Sequence, residues 1–233
     1  MLDRGLDAAA EREARAAVAG WQQFARRYRL DFRAELEPED RGGEPDEVLS
    51  ALGALGFPVA QVRGWTRGAW DGRDSFGFCA VDATAAGSRY HLRFTATRLR
   101  RDRPDVVQHR LLDGDSTMAA AWHPQRHRYA VVTLAEPPRP QVRHRGRLGQ
   151  AVDRFFRTAP RRLHTPDPRF AEALATEAET AGLDLFRWSW AAKGGWLTAW
   201  RSDTTDGDDH HKRARFMDFL PALADCIERT ETA

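Results

Sequence analysis

A chain of 233 residues, 42% hydrophobic, 30% charged and with a net charge of +2, is long enough to bury a sizeable core, which excludes a disordered or collagenous chain. No stretch reaches the roughly 18 uninterrupted apolar residues of a bilayer span, and the acid-broken N-terminal segment lacks the apolar run of a signal peptide. Two cysteines, Cys79 and Cys226, are too few for a disulfide framework or a cysteine metal site, so a reducing cytoplasm is the expected compartment.

Ala10, Ala14, Ala17, Trp21, Phe24 and Tyr28 recur at alternating steps of four and three, with Glu11, Arg12, Arg15, Gln22 and Arg26 off that line. Residues 7–29 are therefore predicted as an amphipathic helix. Such a stripe can lie on a sheet or pair with a second copy as a homodimer. Glu37 to Glu44 is loop by its proline, glycine and acid content. A second helix starts at Pro45, lines Val48, Leu52 and Leu55 along one face, and stops at Gly56 and Pro58.

From Val59 the period falls from about 3.6 to 2. Asp71-Gly72 between two strand-like runs marks a two-residue hairpin, which sets Trp65 opposite Phe78 and Arg67 opposite Phe76. Over residues 89–99, Tyr90, Leu92, Phe94 and Ala96 alternate with Arg89, His91, Arg93, Thr95 and Thr97, which predicts a one-sided sheet with a basic, wet reverse. Val106 to Leu112 and Tyr129 to Ala135 are further strands of a four- or five-stranded antiparallel meander. Pro137, Pro138 and Pro140 end it, and Arg139 to Arg147 read as an exposed connector.

Leu148, Val152, Phe155 and Phe156 predict a short helix, and Asp167 caps a longer one through Phe170, Leu174 and Ala178 to a stop at Gly182. In the hairpin that follows, loop length sets side-chain parity. A three-residue loop, Lys193-Gly194-Gly195, gathers Trp188, Trp190, Trp196 and Trp200 on one surface, whereas a two-residue loop sends Trp196 and Trp200 to the other face. Three residues are preferred, because glycine at the last loop position suits a left-handed conformation. His210 to Glu231 forms a final helix with Phe216, Leu220, Leu223 and Ile227 inward and a bend at Pro221.

These elements define an α+β protein: a largely antiparallel sheet of hairpins and meander, packed by N-terminal, middle and C-terminal helices on one face. Residues 1–233 form one compact domain, or two pseudo-related lobes, 1–140 and 148–233, joined by the arginine- and proline-rich connector. Helix followed by hairpin occurs in both, at 45–82 and 166–201.

Charge is unevenly spread: residues 1–60, 61–165 and 166–233 carry −4, +11 and −5. Compensation within the fold accounts for this without a partner, and a polyanion-binding middle segment is the sharper alternative. Nucleic-acid binding would rest on Arg89, His91, Arg93, Arg98, Arg100, Arg101 and Arg103 with Arg143, Arg145 and Arg147, yet parity separates these cations from the aromatic side of their strand. His123 with His127, and Asp206 to His211, are weak metal candidates amid turn-like sequence. Phosphate loops and dinucleotide-type glycine motifs are absent, so neither a metal nor a cofactor is expected.

Gly114-Asp115-Ser116 after an apolar strand, with Asp208 and His211 near the C-terminus, resembles the Gly-Asp-Ser esterase and lipase family. The resemblance implies Ser116 as nucleophile, His211 as base and Asp208 as its orienting acid. It covers few residues, and the chain has no asparagine for that family's oxyanion hole.

The preferred expectation is a non-catalytic cytoplasmic binding protein of a GC-rich bacterium. It would recognise a protein or small ligand through Trp188, Trp190, Trp196 and Trp200 with Arg93, Arg98 and Arg100, since tryptophan and arginine dominate binding hot spots. A serine hydrolase is the alternative, and a polyanion binder the third reading.

Overall fold

The computed structural model describes residues 15–16, 18–40, 42–54, 61–83, 89–108, 128–134, 161–202 and 210–231. Helix α1 covers residues 18–28. After it come strand β1 (Asp31–Leu36), helix α2 (Glu44–Ala54), and strands β2 (Gln61–Trp70), β3 (Arg73–Ala83), β4 (Arg89–Arg98), β5 (Val106–Gln108), β6 (Ala130–Leu134) and β7 (Arg161–Thr165). Helix α3 (Pro168–Thr180), strands β8 (Ser189–Lys193) and β9 (Trp196–Ser202), and helix α4 (His210–Arg229) complete the described chain. The strands form one antiparallel sheet in the order β1-β2-β3-β4-β9-β8-β5-β7-β6. The fold is α+β, as the sequence predicts. No described helix is long and apolar enough to cross a membrane. The predicted helix at Leu148 to Phe156 and the arginine connector lie outside the described residues.

The first hairpin follows the turn chemistry: Asp71 and Gly72 both take positive φ, 49° and 70°, as a two-residue turn between right-twisted strands requires. Trp65 faces Phe78 by a different route from the one expected. The register shifts between Arg63 and Thr66, leaving Gly64 and Trp65 together opposite Phe78. Gly64 sits at φ 63°, a left-handed bulge conformation that glycine tolerates. Trp65 and Phe78 then stack at 5.1 Å.

The expected meander stops at β4. Its next neighbour is β9, and β5 lies between β8 and β7. After β4 the chain inserts Leu99 into the core, 7% exposed, and its amide donates to the Gly195 carbonyl at 2.9 Å. That bond delivers the following segment to the far side of the β8–β9 hairpin. Strands β1 and β7 were not anticipated, although Phe32, Ala34 and Leu36 alternate with Asp31, Arg33 and Glu35.

Each face of the sheet has its own cover. Val62, Trp65, Phe76, Phe78, Phe94, Trp196 and Trp200 form one cluster with Val48 and Leu52 of α2. On the reverse, Leu197, Ala199, Trp190 and Val106 pack with α3 and α4, and Trp21 and Phe24 of α1 pack with Cys79 and with Met217 of α4. Helices α1, α3 and α4 thus share one face, and α2 takes the other. The reverse of β4 is not the wet basic surface expected: Thr95 and Thr97 are both 0% exposed, and Arg93 is half-buried. Alternation tells which residues share a face, and tertiary packing by α4 decides which face is dry.

The second hairpin corrects the preferred loop. Lys193 pairs with Trp196, so the loop is the two residues Gly194 and Gly195, at φ 58° and 77°. Ser189, not Trp188, lies opposite Trp200. The four indoles therefore divide between faces, with Trp188 and Trp190 on the α4 side and Trp196 and Trp200 on the α2 side.

Helix α3 begins as read from the sequence, with the Phe170 amide donating to Asp167 Oδ1 at 3.1 Å, and ends with Gly182 at φ 67°. Asp167→Ala is expected to lower stability by about 1 kcal/mol in urea denaturation, with Asp167→Asn near wild type.

Candidate functional site

The connector from Leu99 to Asp105 crosses the C-terminal end of α4, and a pocket of about 580 Å3 lies where they meet. Arg100, Arg101, Arg103 and Arg229 line it together with Asp225, Glu228 and Glu231. Arg73 follows the Asp-Gly turn, its side chain is 2% exposed, and it binds Glu228 at 2.7 Å as well as Asp225. Asp225 and Glu228, three apart, share one helical face, so a single guanidinium reaches both.

Glu228 organises the connector as well. The Arg100 amide donates to its carboxylate, and the Arg103 guanidinium donates to its backbone carbonyl, one of the acceptors a helix end leaves open. Burial pushes the Glu228 carboxyl up, but hydrogen bonds from Arg73 and from the Arg100 amide outweigh it, leaving the pKa below the ordinary carboxylate value. The Arg73 guanidinium is held the more firmly protonated, first by its hydrogen bonds to Glu228.

The charges left over define what the pocket can bind. Arg229 is engaged by Glu177 at 2.6 Å. The guanidiniums of Arg100, Arg101 and Arg103 have no carboxylate within ion-pair reach among the described residues; that of Arg100 donates only to the Gly72 carbonyl, at 3.3 Å. Glu231 is exposed and also lacks a partner among the described residues, and Asp225 uses Oδ1 alone on Arg73.

A second polar cluster joins the ends of three strands. Lys193 Nζ donates to Asp105 at 2.8 Å and to the Tyr129 hydroxyl at 2.9 Å, and that hydroxyl donates to Asp105 at 3.1 Å. Burial raises the Tyr129 pKa. Burial pulls Lys193 down, but its bonds to Asp105 and Tyr129 prevail and raise it. Both groups hold their protons at neutral pH, so the cluster braces strand ends and is unsuited to abstracting a proton.

The other residues singled out from the sequence are dispersed. Trp190 is fully buried with its indole N–H on the Leu185 carbonyl at 2.7 Å. Trp196 and Trp200 are each 2% exposed, and Trp188 is half-buried edge-on to Phe216. Arg98 is exposed over the Trp196 ring and lies 3.8 Å from Glu44 of α2. Arg93 is remote from the pocket in register, opposite Cys79 and Arg201. Of the predicted tryptophan and arginine binding set, Arg100 alone lines the pocket, joined there by Arg101 and Arg103 of the nucleic-acid reading. Ser116 and Asp208 lie outside the described residues, as do the side chain of His211 and the histidines His123 and His127. No three metal-ligating side chains converge among the described residues. Sequence reading missed Arg73, Asp225 and Glu228; the i,i+3 acids beside the apolar stripe of α4 were the available signal.

No protein-family model matches the chain, and no curated protein or solved structure is detectably similar to it.

Proposed function

We propose that the protein is a non-catalytic binding module of a bacterial cytoplasm that takes a small charged ligand in the arginine-lined pocket. The observation that carries this reading is the set of three guanidiniums, Arg100, Arg101 and Arg103, around a recess whose other cations are already paired. Guanidinium presents a fork of donors matched to carboxylate and phosphate oxygens. The recess falls within the roughly 300–1000 Å3 of small-molecule sites. The indoles do not form the recognition surface, because three of the four are buried. A nucleic acid suits the pocket less well, since Asp225 and Glu231 would face its phosphates.

The test is calorimetry and thermal shift against phosphate, acetate, succinate and amino acids, each beside a neutral analogue. At least one charged member is expected to raise the melting temperature, and Arg101→Ala, which removes an exposed side chain, to weaken its binding about tenfold or more. A panel that shifts neither protein, or shifts both equally, would overturn the reading.

A further inference from the structure

The pocket carries unspent charge of both signs, and this narrows its ligand. Arg101 projects from the connector without a partner among the described residues, and the Arg100 guanidinium beside it touches only a backbone carbonyl. In the same lining, Glu231, two residues past the end of α4, is equally without a partner among the described residues, and Asp225 keeps Oδ2 free of hydrogen bonds among them. The remaining lining charges are satisfied: Glu228 by Arg73 and the Arg100 amide, Arg229 by Glu177.

A simple anion entering this space gains the arginines but meets two carboxylates. A simple cation meets the reverse. Like charges brought together at this open recess repel, and that repulsion discriminates most at low ionic strength. A ligand with an anionic and a cationic group a few bonds apart satisfies both sets of charges at once.

Resting on the reading of the pocket as a ligand site, we infer that it binds a small zwitterion: the α-carboxylate and α-ammonium of a free amino acid. The carboxylate lies against Arg100 and Arg101, and the ammonium against Asp225 and Glu231. Arg103, tied to the helix end, holds the connector in position.

The inference is tested on the full chain by calorimetry with common L-α-amino acids, each beside its N-acetyl acid, which keeps only the negative charge, and its carboxamide, which keeps only the positive one. At least one free amino acid is expected to bind, with a tenfold or greater loss on either modification. Arg101→Ala should abolish the preference over the carboxamide, and Glu231→Gln the preference over the N-acetyl acid. Both side chains are exposed, and a circular dichroism spectrum confirms that the variants fold.

If an N-acetyl acid or a carboxamide binds as tightly as its parent, the zwitterion assignment fails while the ligand site stands. The same holds if phosphate or succinate binds and no amino acid does. If nothing in either panel binds, both fail.

Discussion

Gly77→Ala is expected to lower the melting temperature by roughly 10 °C, from a loss of about 3 kcal/mol. A methyl group at Gly77 would come 2.4 Å from Cη2 and Cζ3 of Trp21 and 2.8 Å from Thr66 Oγ1. Trp21 cannot swing away. It is 0% exposed, meets Phe24 edge-on at 5.6 Å, and is covered by the buried Arg213 guanidinium at 5.4 Å. The hydroxyl of Thr66 is fixed on the Gly77 carbonyl at 2.9 Å. Strand β3 must therefore shift, or α1 must lift from the sheet. Gly53→Ala is the matched control: it lies in α2 with no neighbour inside 4 Å, and should stabilise by about 0.5–1 kcal/mol through helix propensity. Melting curves and urea titrations of the two variants should move in opposite directions. Equal behaviour would mean that α1 does not seat on Gly77 in solution.

Arg73→Met should cost about 3 kcal/mol. It leaves Glu228, whose side chain is 11% exposed, without its counter-ion, and its flexible apolar stem keeps most of the volume. Asp225 adds less, because it is 47% exposed and water can compensate. The sign of the pH effect follows from Glu228. Its pKa is lowered in the folded protein, so the ion pair contributes stability above the unfolded carboxylate value, and that contribution is lost as pH falls through the folded value. The gap between wild type and Arg73→Met should hence be widest near neutrality and narrow below about pH 5. Arg73→Met with Glu228→Gln should lose less than the two single changes added together, since each disrupts the same contact. Strict additivity across the cycle would show that the pair is not coupled.

Turn chemistry was the most legible part of this fold. Asp71-Gly72 specifies its loop length because both positions need positive φ and only a few residue types accept it. Gly194-Gly195 does not, since consecutive glycines are compatible with two loop lengths, and the choice falls to contacts remote in sequence. Lys193 is held by Asp105 and Tyr129, while Leu197 and Ala199 face α4. Apolar stripes located the helices well: Val48 and Leu52 of α2, and Phe216, Leu220, Leu223 and Ile227 of α4, are buried as read. The strand neighbours were illegible, because alternation carries no record of which strand lies alongside, so β9 beside β4 could not be foreseen. The candidate site was half visible. Arg100, Arg101 and Arg103 stood out as a cluster, but the carboxylates that line the pocket with them sit more than a hundred residues away, at the end of a helix whose burial stripe draws attention to its other side.

The seam between β4 and β9 has a consequence for how the molecule is made. Residues 61–98 can pair as soon as they leave the ribosome, yet the neighbour of β4 is residues 196–202. Until these are synthesised, the nascent chain carries an unsatisfied β4 rim beside the stacked Phe78 and Phe94, which invites pairing with other chains. Closing contacts of such long span are slow as well. Chaperone dependence during expression, and aggregation of fragments that end before residue 196, are the expected signs of that order of assembly.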